Sequence, residues 1–150
     1  MRQPDLRSGI YKVVTRTCPE YRDYALDCPR VRYLELVRGR FYGIEPGDLA
    51  LVEWLAGRNE SDVHTYSARQ LRGHLGTRGE YVIADVSNGG DRLREWFVLQ
   101  GDVPTEYQLE IQSTESGRDE RAKMSLVLAP VVRDERLTRM LPYPEAAPQD

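Results

Sequence analysis

The most regular feature of the chain is a series of short stretches in which apolar, β-branched and aromatic residues alternate with polar ones. Stretches of this kind, bounded by Gly, Pro, Asn and Asp, are typical of β-strands. They predict up to seven strands, over Ile10–Thr17, Val31–Val37, Leu49–Leu55, Tyr81–Val86, Arg92–Leu99, Tyr107–Gln112 and Met124–Val132. The pattern therefore predicts an α+β, mainly β fold, with six to seven mostly antiparallel strands in a curled sheet or partial barrel.

Turn and cap residues complete this outline with a hairpin and two short helices. Asn88 and Gly89 tolerate the positive φ of a tight hairpin turn between two of the strands. Ser67 and Gln70 have the spacing of a capping box, so a helix is expected over Ala68–Leu75. A second helix is expected over Asp134–Leu141, with a buried stripe formed by Leu137, Met140 and Leu141.

Composition places the chain among ordinary globular proteins. Its 150 residues are 40% hydrophobic and 30% charged, which suits one domain with a sizeable core. A single β-rich domain is expected over residues 1–141, followed by a Pro-rich tail over 142–150. No apolar stretch approaches the length of a membrane span, and the first residues do not resemble a secretory signal. The predicted location is the cytoplasm, or a virion assembled there.

Cys18 and Cys28 are the two cysteines of the chain. In a reducing compartment two free thiols are the default expectation, with a disulfide left open. Together with His64 and His74 they make four residues of the type that binds zinc. The spacing of ten residues within each pair does not match a tight zinc-binding turn, so neither a metal nor another cofactor is predicted.

Catalytic motifs are absent from the sequence. The serines have no flanking nucleophile motif, and the Gly-rich segments lack the context of a phosphate-binding loop. His74 falls inside the first predicted helix, where the pattern indicates no partner that would make it a general base. The chain is therefore predicted not to be an enzyme.

Arginines and aromatic residues are the best candidates for contacts with a partner. Arginine, tyrosine and tryptophan dominate the energetics of protein interfaces, and the candidate anchors are Arg38, Arg40, Tyr42, Trp54, Arg94 and Trp96. The leading hypothesis is a non-enzymatic, regulatory protein-binding or assembly module, which binds a protein partner or itself as a homo-oligomer. A structural component of a phage or another large particle is the first alternative.

Nucleic-acid binding is the second alternative. Arginines interleaved with tyrosines can hold a single strand, and the candidates in the N-terminal third are Arg16, Arg22, Arg30 and Arg32. The net charge of −3 argues against this function, because domains that bind phosphate backbones are usually basic.

Two segments resemble the self-cleaving repressors of the LexA type. Residues 37–53, with Gly47 and Asp48 before an apolar strand, look like the turn and strand that follow the nucleophile of that family, and residues 79–97 look like its hairpin leading to the catalytic lysine. Arg40-Phe41-Tyr42 stands where that family has its serine, and Arg94 stands where it has its lysine. Because arginine does not deprotonate in proteins, the resemblance implies a catalytically inactive relative that keeps a β-rich dimerisation module.

Overall fold

The structure is a computed structural model that describes residues 6–19, 28–38, 47–56, 61–71, 73–74, 79–114 and 120–141, with the backbone alone at 73, 74, 120 and 140. Its nine strands are β1 (Gly9–Thr17), β2 (Val31–Arg38), β3 (Leu49–Leu55), β4 (Ser61–Tyr66), β5 (Gly73–His74), β6 (Glu80–Asn88), β7 (Asp91–Gln100), β8 (Val103–Ser113) and β9 (Glu120–Val131). A 3-10 helix spans Cys28–Arg30, and α1 spans Glu135–Met140.

All nine strands belong to one antiparallel sheet, in the order β4-β3-β2-β1-β9-β8-β7-β6-β5. The sheet curls until its two halves face each other. The Arg38 guanidinium on β2 donates to the Tyr81 hydroxyl on β6 at 2.6 Å, across the interior. One core fills that interior, with Tyr11, Leu34, Leu51, Ile83, Phe97 and Leu126 among its most deeply buried side chains. The mainly β, antiparallel partial barrel predicted from the sequence is confirmed.

The predicted number of strands is wrong, because the described residues form nine strands rather than six or seven. The sequence pattern missed β4 and the two-residue β5. β4 carries polar residues on both faces, with Val63 and Tyr66 as its only large apolar residues, because it lies at one end of the sheet order. A strand in that position need not bury one face completely, so its sequence lacks the alternation that revealed the others.

The helix predicted over Ala68–Leu75 is also wrong, although its capping box forms. The Ser67 amide donates to Gln70 Oε1 at 2.9 Å, and the Gln70 amide donates to Ser67 Oγ at 3.3 Å. Only a single turn follows, and Gly73–His74 pairs with β6 as β5. One cap cannot offset the cost of nucleating so short a helix, whereas pairing with β6 gives the backbone a ready partner.

The second predicted helix is present as α1, which packs on the outer face of the sheet. The Asp134 side chain caps it by accepting from the Leu137 amide at 2.9 Å. Leu137 and Leu141 are buried against side chains of β1 and β3, forming an outer cluster of Ile10, Val52, Trp54, Leu137 and Leu141. β3 is therefore apolar on both faces because one face lies in the barrel core and the other lies beneath α1.

The two cysteines are joined in a disulfide, so the expectation of free thiols is wrong. Cys18 follows β1 and Cys28 begins the 3-10 helix ahead of β2. Because β1 and β2 are antiparallel neighbours, the end of one lies beside the start of the other, and the two Cα atoms are 5.8 Å apart. That separation lies within the range a disulfide can bridge.

None of the helices in the described part of the chain is long and apolar enough to cross a membrane.

Candidate functional site

The barrel has an open seam on one side, between β4 and residues Ile83–Asn88 of β6. Within the described residues β4 pairs only with β3. β6 pairs with β5 at Tyr81 and Val82, and over the rest of its length only with β7. We call the space between these two strand edges the seam.

A cavity of about 390 Å³ lies in the seam. One wall comes from the end of β4 and the turn that follows it, and the other from β6 and β7. The lining residues are Thr65, Tyr66, Arg69, Gln70, Ala84, Asp85, Val86, Leu93 and Glu95. The volume falls at the lower end of the range typical of ligand pockets.

Glu95 is the partly buried carboxylate of this cavity. It lies on β7 between Leu93 and Phe97 in the alternating pattern, so its side chain points to the barrel interior with theirs. The Tyr66 hydroxyl donates to both carboxylate oxygens at 3.0 Å, and the Tyr107 hydroxyl donates to Oε2. Two tyrosines from β4 and β8 therefore orient one glutamate from β7.

Burial and hydrogen bonding act in opposite directions on this carboxyl. Desolvation raises the pKa of Glu95 above its ordinary value, and the two tyrosyl hydrogen bonds and the nearby His64 only partly offset that rise. Burial and the adjacent carboxylate also raise the pKa of both tyrosines, so the hydroxyls stay protonated as donors. The Glu95 carboxylate is thus a hydrogen-bond acceptor in a partly desolvated environment.

A second pair of charged groups lies beside this cluster. His64 Nε2 on β4 is 2.7 Å from Glu53 Oε1 on β3. Glu53 alternates with Leu51 and Leu55, which belong to the barrel core, so these side chains share the interior face. The hydrogen bond to Glu53 raises the pKa of His64 despite partial desolvation. His64 and Glu53 therefore largely satisfy each other's charge.

Glu35, which is more deeply buried than Glu95, is a useful contrast. It lies on the outer face of β2, accepts from the Trp54 indole Nε1 at 3.2 Å, and has Arg133 Nη1 3.9 Å from its Oε2. Its charge is therefore compensated by an arginine. Glu95 accepts only from hydroxyl groups within the described residues.

The candidate anchors predicted from the sequence do not come together at one place. Trp54 is only 3% exposed and packs beneath α1. Trp96 is 8% exposed, and the Arg94 guanidinium lies over its ring at 5.0 Å while also pairing with Glu80 at 3.2 Å. Arg38 reaches into the barrel interior toward Tyr81. Arg40 and Tyr42 lie outside the described residues.

Those of the arginines considered for nucleic-acid binding that the structure describes lie near the disulfide and the start of β2. Arg16 Nη1 donates to the backbone oxygens of Cys28 and Pro29, at 3.3 and 2.6 Å, and so supports the disulfide loop. Arg30, which ends the 3-10 helix, and Arg32 on β2 are exposed, and Arg22 lies outside the described residues. Arg16 is therefore held by backbone carbonyls, and Arg30 and Arg32 are the exposed members of this group among the described residues.

Sequence reasoning missed Glu95, Tyr66 and Tyr107, which are the polar centre of the seam. One signal was available: Glu95 interrupts the apolar face of β7 formed by Leu93, Phe97 and Leu99. A single acid in the buried register of a strand is unusual unless it has a partner. The partners themselves could not be predicted, because they come from strands far away in the sequence.

Among the described residues, no group of three or more His, Cys, Asp and Glu side chains is arranged to hold a metal ion. No model of a known protein family matches this chain, and no curated protein matches it either.

Proposed function

We propose that this chain is a non-enzymatic protein-binding domain that binds an extended segment of another protein at the seam. The observation that carries the proposal is the pair of strand edges, β4 and Ile83–Asn88 of β6, that have no pairing strand among the described residues. Backbone N–H and C=O groups along such edges are a template for an added strand.

The composition of the two edges supports this function. Natural proteins commonly block a free edge with lysine, proline, a bulge or a covering element. Neither edge contains lysine or proline, and the bulge of β6 lies between Val82 and Ala84, at the beginning of its edge. Instead each carries an exposed valine, Val63 at 39% and Val86 at 55%. Apolar side chains on an open edge favour contact with another chain over solubility.

The chemistry of the cavity supports binding over catalysis. Tyr66 and Tyr107 remain protonated because their pKa values are raised, so neither can act as a base at neutral pH. His64 pairs with Glu53 through Nε2 and is not among the described residues that line the cavity. These described lining residues include no serine or cysteine that a base could activate. The arrangement is suited to holding hydrogen-bond donors.

The proposal can be tested with a library of random peptides selected on the immobilised protein. The test variant is Val63→Lys, which places a charge on the β4 edge at an exposed position. The matched control is Val14→Lys, which makes the same change at an exposed valine on β1, in the middle of the sheet order. Selected peptides are expected to bind the wild type and the control equally and Val63→Lys at least about tenfold more weakly, because a lysine on an edge opposes strand addition.

Amide hydrogen exchange locates the bound peptide. Backbone amides of β4 and of Ile83–Asn88 are expected to exchange more slowly in the complex, since a new ladder would engage them. Peptides that bind without protecting either edge would refute the proposal, and so would a selection that enriches none.

A second copy of the chain is the competing occupant of the seam, and it would account for the homo-oligomer predicted from the sequence. Size-exclusion chromatography coupled to light scattering separates the two cases. A monomer keeps the seam free for a foreign segment, whereas a dimer that dissociates in Val63→Lys but not in Val14→Lys would assign the seam to self-association.

A further inference from the structure

We propose that the seam cavity is a pocket for one basic side chain, a lysine or an arginine, of the bound segment, with Glu95 as the group that pairs with it. This inference deepens the proposed function and rests on it for the identity of the ligand. The cavity itself can be tested alone, with a small cation.

Glu95 is bound by neutral donors rather than by a cation. Its hydrogen-bond donors among the described residues are the hydroxyls of Tyr66 and Tyr107. A partly desolvated carboxylate gains more electrostatic stabilisation from a nearby positive charge than an exposed one does, because water screens their attraction only weakly there. Glu35, the more deeply buried acid of β2, already has Arg133 beside it.

The shape and lining of the cavity also suit a basic side chain. Ala84, Val86 and Leu93 give it an aliphatic wall, and Glu95 lines it with them. A lysine or arginine side chain has the complementary structure, an alkyl stem that packs on apolar surface and a charged end. The volume of about 390 Å³ is ample for one such side chain.

The other charged groups near the cavity leave Glu95 available. Asp85 is paired with Arg92, which donates to its two oxygens at 3.2 and 3.1 Å. Arg69 lines the cavity but is exposed, so solvent and salt screen its charge. The charges of His64 and Glu53 are among the causes that shift the pKa of the Glu95 carboxyl. Because His64 and Glu53 are paired with each other, they leave little net field to repel a cation.

The test uses n-butylammonium, which reproduces a lysine side chain, and its uncharged analogue 1-butanol, with binding followed by NMR chemical shifts of the wild-type protein. The cation is expected to shift the signals of Ala84, Val86 and Glu95 saturably, and 1-butanol is expected to bind at least about tenfold more weakly, because charge-assisted hydrogen bonds are the stronger ones. Glu95→Gln should lower the affinity for the cation by about tenfold or more. The matched control, Glu110→Gln, removes a carboxylate from the neighbouring strand β8, opposite Arg94 and outside this cavity, and should leave the affinity unchanged.

The pH dependence of the cation affinity distinguishes direct pairing with Glu95 from a purely structural role of this residue. Cation affinity should rise as the pH increases through the pKa of Glu95, which burial raises, because only the ionised carboxylate attracts the cation. His64 loses its own charge in the same direction, and Glu53 faces the same region. The cation affinity of Glu95→Gln should therefore lose the part of the pH dependence that Glu95 contributes and keep the part that His64 contributes.

The outcomes separate this inference from the proposed function. Equal binding of n-butylammonium and 1-butanol, or no saturable binding of the cation, would overturn the pocket while leaving strand addition to the amide-exchange test. Saturable, Glu95-dependent binding supports the pocket. If peptides then fail to protect the β4 and β6 edges, the proposed function falls and the pocket stands as a site for small organic cations.

Discussion

Glu95 is the residue whose environment most sets this protein apart from a simple packed barrel. Its carboxyl is held by two hydroxyls and partly removed from water, and the net result is a raised pKa. A carboxyl whose pKa is higher in the folded state than in the unfolded chain binds its proton more tightly when folded. The folded state is therefore favoured at low pH relative to high pH at this position.

The substitution Glu95→Gln tests whether the Glu95 carboxyl stabilises the folded protein more at low pH than at high pH. Relative to Glu95→Gln, the wild type should be most stable below the unfolded pKa of a glutamate, about 4.3. It should lose this relative stability as the pH rises through the raised pKa of the folded state. Urea unfolding at a series of pH values gives the free-energy difference. Glu95 itself raises the pKa of His64, so the titration of His64 also differs between the two proteins and is separated from that of Glu95 by NMR.

The control for this comparison of unfolding free energies is Glu110→Gln, which also removes one carboxylate from the sheet. A free-energy difference between wild type and Glu95→Gln that stayed flat with pH, or rose with it, would show that desolvation does not dominate the Glu95 carboxyl.

Single elements show why the strands were easier to predict than the rest. The bounds of β3 follow directly from an apolar stretch that only Glu53 interrupts, and Gly9–Thr17 and Val31–Arg38 differ from the predicted strands by one residue each. The turn 67–71 could not be predicted in the same way, because its capping box is satisfied by a single turn as well as by a helix. Local hydrogen-bonding chemistry does not decide how far a helix continues when a strand edge competes for the next residues.

Helix α1 gives the clearest prediction at the scale of an element. Its six residues are too few to be stable alone, so its packing on Trp54 and Val52 should hold it in place. Leu137→Ala should lower the free energy of unfolding by about 2 kcal/mol through lost burial and the cavity left behind. Arg136→Ala, on the exposed side of the same helix, should change it by no more than about 0.5 kcal/mol, so equal losses in the two variants would show that Leu137 does not anchor α1 to the sheet.

For the whole molecule, the sequence indicated the architecture but not the site. Alternation along each strand predicts a curled antiparallel sheet, since that pattern is set by residues close together in the chain. The seam depends instead on which strand edges remain unpaired after the sheet has curled, and its polar centre joins β4, β7 and β8. No local pattern carries that information, so the candidate anchors drawn from residue type alone are scattered over the interior and both faces.

The disulfide between Cys18 and Cys28 depends on the redox state of the compartment in which the protein resides. Closing a loop with a sequence separation of ten should contribute about 3 kcal/mol to stability, and disulfides are rare in a reducing cytosol. The cytoplasmic location predicted from the sequence therefore stays a prediction that mass spectrometry can test. Alkylation of the protein in its native host before lysis should leave Cys18 and Cys28 unlabelled if the compartment is oxidising, whereas labelling of both would place the native protein in a reducing one.

The pairing of β1 with β9 has a consequence for how the protein is made. Every other strand pair of the sheet joins consecutive strands, but Ile10 pairs with Val131. As the chain leaves the ribosome, β1 can pair with β2 early. The opposite edge of β1 stays unpaired until β9, and so nearly all of the domain, has been synthesised. During that interval the β-branched residues Val13, Val14 and Thr15 lie along an open edge of the kind that promotes aggregation. The pairing of β1 with β9 is therefore the folding step before which the chain is most prone to aggregate.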